Sequence, residues 1–172
     1  MYRERDRQES KLEDKEALFA RAAIFTIWLL ISFGMLFHFL FIPMLSRELP
    51  STYVEFQGDG LAIQYFLSLI TLAAQSTLVA VSFLLHRILK GTLMNKSSLT
   101  WVNSLAISCS SFSVLLVALL YWLSIQGAAG PAVALGMIGA ALLGAAFAWV
   151  TLSLKYVLKD AIANQQELEA VI

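Results

Sequence analysis

Four long apolar runs, separated by short polar stretches, set the pattern of this chain. They cover Ala22–Leu45, Leu61–Leu85, Trp101–Ile125 and Ala132–Leu154. Each has about the 20 residues that an α-helix of 1.5 Å rise needs to cross a bilayer core. Of the connections, Ser46–Gly60 carries Pro50, Gly58 and Gly60 and is expected to be a loop. The second, RILKGTLMNKSS, is a basic loop. The third, QGAAGP, is so short that runs three and four must form a tight antiparallel hairpin.

The last run is the most structured. Gly136, Ala140, Gly144 and Ala148 recur at every fourth position, a small-residue face where another helix can approach closely. Past Leu154 the sequence stays helix-forming but turns polar. Leu154, Leu158, Ala161, Gln165, Leu168 and Ile172 alternate spacings of four and three, the pattern of a helix seam. Leu158, Ala161, Leu168 and Ile172 are therefore the candidate partner-binding residues, unless the helix end lies along the membrane surface or on the chain's own inner loop. Lys155, Lys159, Asp160, Gln166, Glu167 and Glu169 fall off that seam and are expected in water.

Composition sharpens the class. Of 172 residues 59% are hydrophobic and 14% charged, and Lys96 and Lys155 bracket a stretch without a single Asp, Glu, Lys or Arg. A soluble domain needs charge throughout its surface. The expected fold is thus all-α, an integral membrane four-helix bundle with a C-terminal helical extension. Its parts are a charged segment, 1–21, a four-span domain, 22–158, and a polar tail, 159–172. The first apolar run is too long for a secretory signal peptide, and no small-residue cleavage site closes it.

Lysines and arginines give the orientation. The N-terminal segment holds six, the middle loop three and the tail two, against Arg47 alone on the other side. Both termini are therefore expected in the cytoplasm of a cell carrying a multi-pass membrane protein. A net charge of zero offers no basic surface for direct nucleic-acid contact. Cys109, the single cysteine, has no internal partner for a disulfide.

Candidate chemistry is sparse. His38, among Phe37, Phe39 and Phe41, is the one titratable group well inside a span, and it reads as a buried histidine bonded to a neighbouring helix. With no carboxylate or cysteine beside it, no metal is expected. Gln75, Asn103, Ser104, Ser108 and Ser111 are the polar intramembrane candidates, read as interhelical hydrogen bonds worth about 0.6 kcal/mol each or as the lining of a polar path. No serine has a base at a spacing that would activate it, and no phosphate loop or paired carboxylates occur. The sequence predicts neither an enzyme nor a cofactor.

Several motifs do point to a family. Leu93-Met94 precedes Ser97-Ser98-Leu99, then Trp101-Val102-Asn103, a GP turn, a small-residue span and the ending Glu167-Leu168-Glu169-Ala170-Val171-Ile172. Over roughly Leu61 to Ile172 the chain resembles the bacterial four-span membrane proteins of domain-of-unknown-function family 2975. That resemblance implies an inner-membrane protein often encoded beside a small helix-turn-helix regulator, with no established activity. The reading is an interaction or regulatory partner of a cytoplasmic, DNA-binding protein, in contact with membrane lipid and with homo-oligomers open. A small oligomeric transporter or channel, and a bacteriocin-immunity protein, are the alternatives.

Overall fold

The computed structural model describes the backbone of residues 2–171 and the side chains of residues 18–167. Among these residues every regular element is helical: α1 (Tyr2–Leu36), α2 (Ile42–Thr52), α3 (Gly60–Leu89), α4 (Lys96–Ile125) and α5 (Pro131–Val171). A π-turn, Phe37–Phe41, fuses α1 and α2 into one rod. Four segments, Leu18–Thr52, Gly60–Leu89, Lys96–Ile125 and Pro131–Glu167, are long and apolar enough to cross a membrane, with mean hydropathy between 1.8 and 2.1.

The first connection differs from its sequence reading. Residues 46 to 52, expected in a loop, continue the helix, because the two prolines are accommodated rather than obeyed as breaks. A proline inside a helix lacks an N–H and its ring crowds the carbonyl four residues back. Ahead of Pro43 the backbone widens, and the Ile42 N–H reaches back five residues to the Phe37 carbonyl. Pro50, in turn, has no N–H to give to the Ser46 carbonyl. Gly60, at the start of α3, packs against that carbonyl so closely that a Cβ would lie 2.5 Å from it. The chain then needs only Thr52 to Gly60, turned by Gly58 at φ +89°, to reverse direction.

Packing follows sequence order. α1 and α2 lie on α3, α3 on α4, and α4 on α5; among the described residues no extended contact joins the first rod to α5. The arrangement is a row of neighbours rather than a closed ring. Ile31, Ile42 and Ile63 fill the first contact, and Val102, Ala106, Leu116, Ala141 and Ala148 the others. Phe19, Phe25, Phe33 and Trp149 point outward, as apolar side chains do when the surroundings are themselves apolar.

α5 packs on α4 along Ala141, Gly144, Ala148 and Thr151. Gly144 and Ala148 of the expected stripe are in this contact. Gly136 is exposed with nothing within 4 Å of where its Cβ would be, and Ala140 is half-buried. The physical reason is a drift in phase. At about 3.6 residues per turn, each four-residue step overshoots a full turn by about 40°, so a stripe of fours winds off the interface. Alternating threes and fours stay on it.

Candidate functional site at the basic end

At the end of the row that carries Arg21, Arg87, Lys90, Lys96 and Lys155, three helices are joined by side chains. Lys90 caps the end of α3, and Gly91, at φ +63°, turns the chain. Asn95 then caps α4, its side-chain oxygen accepting from the Ser97 N–H at 3.2 Å. That cap presents two serine hydroxyls toward the end of α3. Arg87 donates to the Ser97 hydroxyl at 2.6 Å and to that of Ser98, 0% exposed, at 3.4 Å. Its positive charge also sits in the last turn of α3, where the helix dipole favours a cation. One turn deeper, Phe83 and Trp101 stack with ring centroids 4.2 Å apart.

The second clamp fastens α5. Lys155 donates to the Asn103 side-chain oxygen at 2.8 Å. Lysine was expected off the seam and in water; it is half-buried instead, and Leu154, expected on the seam, is 59% exposed. The buried line therefore runs through Thr151, Lys155, Leu158 and Ile162. Leu158 and Ala161 are half-buried, and Ile162, overlooked by the four-three pattern, is 3% exposed. Continued down the hairpin, the register of the Lys155–Asn103 bond brings Ile162 level with the turn that caps α4. The tail thus packs on its own chain as far as Ile162. The side chains of Leu168 and Ile172 lie outside the described residues. Lys159, Asp160, Ala163, Asn164, Gln166 and Glu167 form the exposed side.

Many hydroxyls between the ends bond within their own helices. Ser32, Ser76, Thr77, Ser113, Thr151 and Ser153 donate to carbonyls four residues back in their own helices. Ser104 and Ser108 line a groove beside α1, and Ser111, on the same helix, is exposed. His38 sits on the π-turn, half-buried, and its buried Nδ1 has no partner, where a bond to a neighbouring helix was expected. Gln75 is 6% exposed and its Nε2 is also unpaired; it lies over Gly34, whose missing side chain leaves the space.

At the opposite end the Gln126 amide donates to the Asp59 carboxylate, and Trp122 packs against Phe56 and Phe66 at 6.1 and 5.8 Å. Sequence reasoning missed both this clamp and the Arg87–serine clamp. Asn95 before Lys96-Ser97-Ser98 was a readable helix-cap signal; for Asp59–Gln126, 67 positions apart, no local signal exists.

Comparison with known proteins adds one finding. A family model described as a protein of unknown function (DUF2975) matches residues 44–172, which takes in α3, α4, α5 and both basic-end clamps. No curated protein and no solved structure matches.

Proposed function

The chain belongs to the DUF2975 family, and from that membership and the geometry of its basic end we propose that it is a bacterial inner-membrane protein that holds a cytoplasmic regulatory protein. In this reading the four apolar helices span the membrane with both termini inside. The observation that carries it is the continuity of α5. The helix passes from a membrane-length apolar segment into a polar extension without a break, and Lys155 and Ile162 fasten it as it leaves. A helix shorter than about 12–15 residues is marginal alone in water. Anchoring it on the rest of the chain lets the short extension present its outer face, Lys159, Ala163 and Gln166 among others, in a fixed place.

That face mixes charge, amide and a small apolar residue, which suits recognition by another protein better than catalysis. The hydroxyls of the apolar segments favour an interaction role over transport, since eight of them are engaged within their own helices. The DNA-binding character of the partner comes from the family resemblance alone.

Affinity capture of the tagged full chain from bacterial membranes in mild detergent tests the proposal. A DNA-binding protein should accompany the wild type and be lost from a Lys159→Ala, Ala163→Glu, Gln166→Ala variant that still reaches the membrane. Equal recovery from both would remove the outer face of the tail from the mechanism.

A further inference from the structure

Arg21 and Ile24 of α1 and His86, Leu89 and Lys90 of α3 line a cavity of about 450 Å³ at the basic end. Among the described residues no carboxylate pairs with Arg21, His86 or Lys90. Two basic side chains and an imidazole converge on a space with two apolar walls and, among the described residues, no carboxylate. A second opening, of about 490 Å³, lies between α1, α3 and α4, with Ile31, Met35, Gln75, Val79, Trp101 and Ser104 among its walls.

The two openings share helix faces. Ile24 and Ile31 are seven residues apart, as are His86 and Val79, so each pair lies on one side of its helix, about 10 Å apart in depth. From His86 to Gln75 is about 16 Å of helix, close to half of the ~30 Å hydrocarbon core. The depth of the groove therefore matches one leaflet. A cationic mouth above an apolar groove one leaflet deep has the shape and charge of a single kind of molecule.

We propose that this face binds an anionic phospholipid, with its phosphate at Arg21, His86 and Lys90 and one acyl chain lying along the groove toward Gln75. Phosphate oxygens accept from the guanidinium fork, the ammonium and the ring N–H, and charge-assisted bonds of this kind are the strong ones. Basic pockets between membrane helices at the headgroup level recognise anionic lipids by the same chemistry. The inference rests on the membrane reading above but not on a cytoplasmic partner.

The test is native mass spectrometry of the full chain, extracted from membranes in mild detergent and titrated with dioleoyl phosphatidylglycerol, dioleoyl phosphatidylcholine or soluble glycerol phosphate. The first phosphatidylglycerol adduct should be favoured over phosphatidylcholine by about tenfold, and glycerol phosphate should not displace it. Arg21→Gln with Lys90→Gln should bring the two lipids to near parity, while Arg47→Gln, a cation at the opposite end, should leave the preference intact. Met35→Trp, which narrows the groove and spares the charges, should weaken both lipids alike. Equal binding of the two lipids to the wild type, loss of preference in Arg47→Gln, or its retention in the double variant would overturn the proposal. Competition by glycerol phosphate would assign the mouth to free phosphate and overturn it too. Recovery of the chain in the soluble fraction without detergent would instead defeat the membrane reading itself.

Discussion

Replacing Gly144 by alanine adds one methyl group at the tightest point of the α4–α5 contact. That methyl would land on the Ser113 hydroxyl, 3.3 Å from the Phe112 ring and 3.4 Å from the Cys109 carbonyl. Ser113 has little freedom to retreat, since it is buried and its hydroxyl already donates to the Cys109 carbonyl at 3.1 Å. Forcing a methyl into a filled site costs about 1–3 kcal/mol. Alanine also favours the helix over glycine by about 1 kcal/mol, which masks part of the effect. Gly136→Ala in the same helix supplies the reference, because nothing lies within 4 Å of its new Cβ. The propensity term is common to both variants and cancels in their difference. What remains is the overpacking term, and at about 2–4 °C per kcal/mol for a chain of this size Gly144→Ala should melt about 2–12 °C below Gly136→Ala. Detergent-solubilised protein followed by intrinsic tryptophan fluorescence is the assay. Ser113→Ala in the Gly144→Ala background removes the clashing oxygen and should recover most of the loss, a coupling that a double-mutant cycle isolates. Equal melting of the two glycine variants, or no recovery from Ser113→Ala, would refute the α4–α5 register described here.

Two further predictions concern the ends of the helices. Asn103→Leu leaves the half-buried Lys155 ammonium without its acceptor; the expected loss is about 1–3 kcal/mol, seen as faster amide exchange in residues 156–167, and unchanged exchange would mean the clamp does not hold the tail. In a Cys109→Ala background, an impermeant thiol reagent on intact cells should label Glu55→Cys and spare Lys96→Cys, and the opposite pattern would reverse the orientation.

How much of this was legible beforehand depends on which physical signal each feature leaves. The four helices were legible because a helix long and apolar enough to cross hydrocarbon needs about 20 apolar residues, and such runs are written in composition. Which way each helix faces was not. In water, an apolar residue on an amphipathic helix marks the inside; in an apolar surround it marks neither side. Leu154 was therefore taken as inward and Lys155 as outward, and the structure has them the other way round. In such helices the informative residues are the polar and small ones: Lys155 with Asn103, Gly144 with Ser113, Gln75 over Gly34. Each of those pairs joins positions more than 30 residues apart, so neither member announces the other. The helical run through Pro43 and Pro50 was hidden for a different reason. Proline is a stop signal in isolation, and neither the π-turn before Pro43 nor the close approach of Gly60 to the Ser46 carbonyl leaves a local sign in the sequence.

The row-like packing has a consequence for how the molecule is made. Each long helix rests on the one synthesised immediately before it, so no segment must wait for a partner that emerges several connections later. Contacts between neighbours in sequence close short loops and form quickly, and chains emerge from the ribosome at only about 5–20 residues per second. α3 can dock on the first rod while α4 is still being translated, and α5, through its short turn, follows α4 as the second half of a hairpin. Assembly can then proceed as a series of local additions, with the Lys155–Asn103 and Ile162 contacts coming late in chain order.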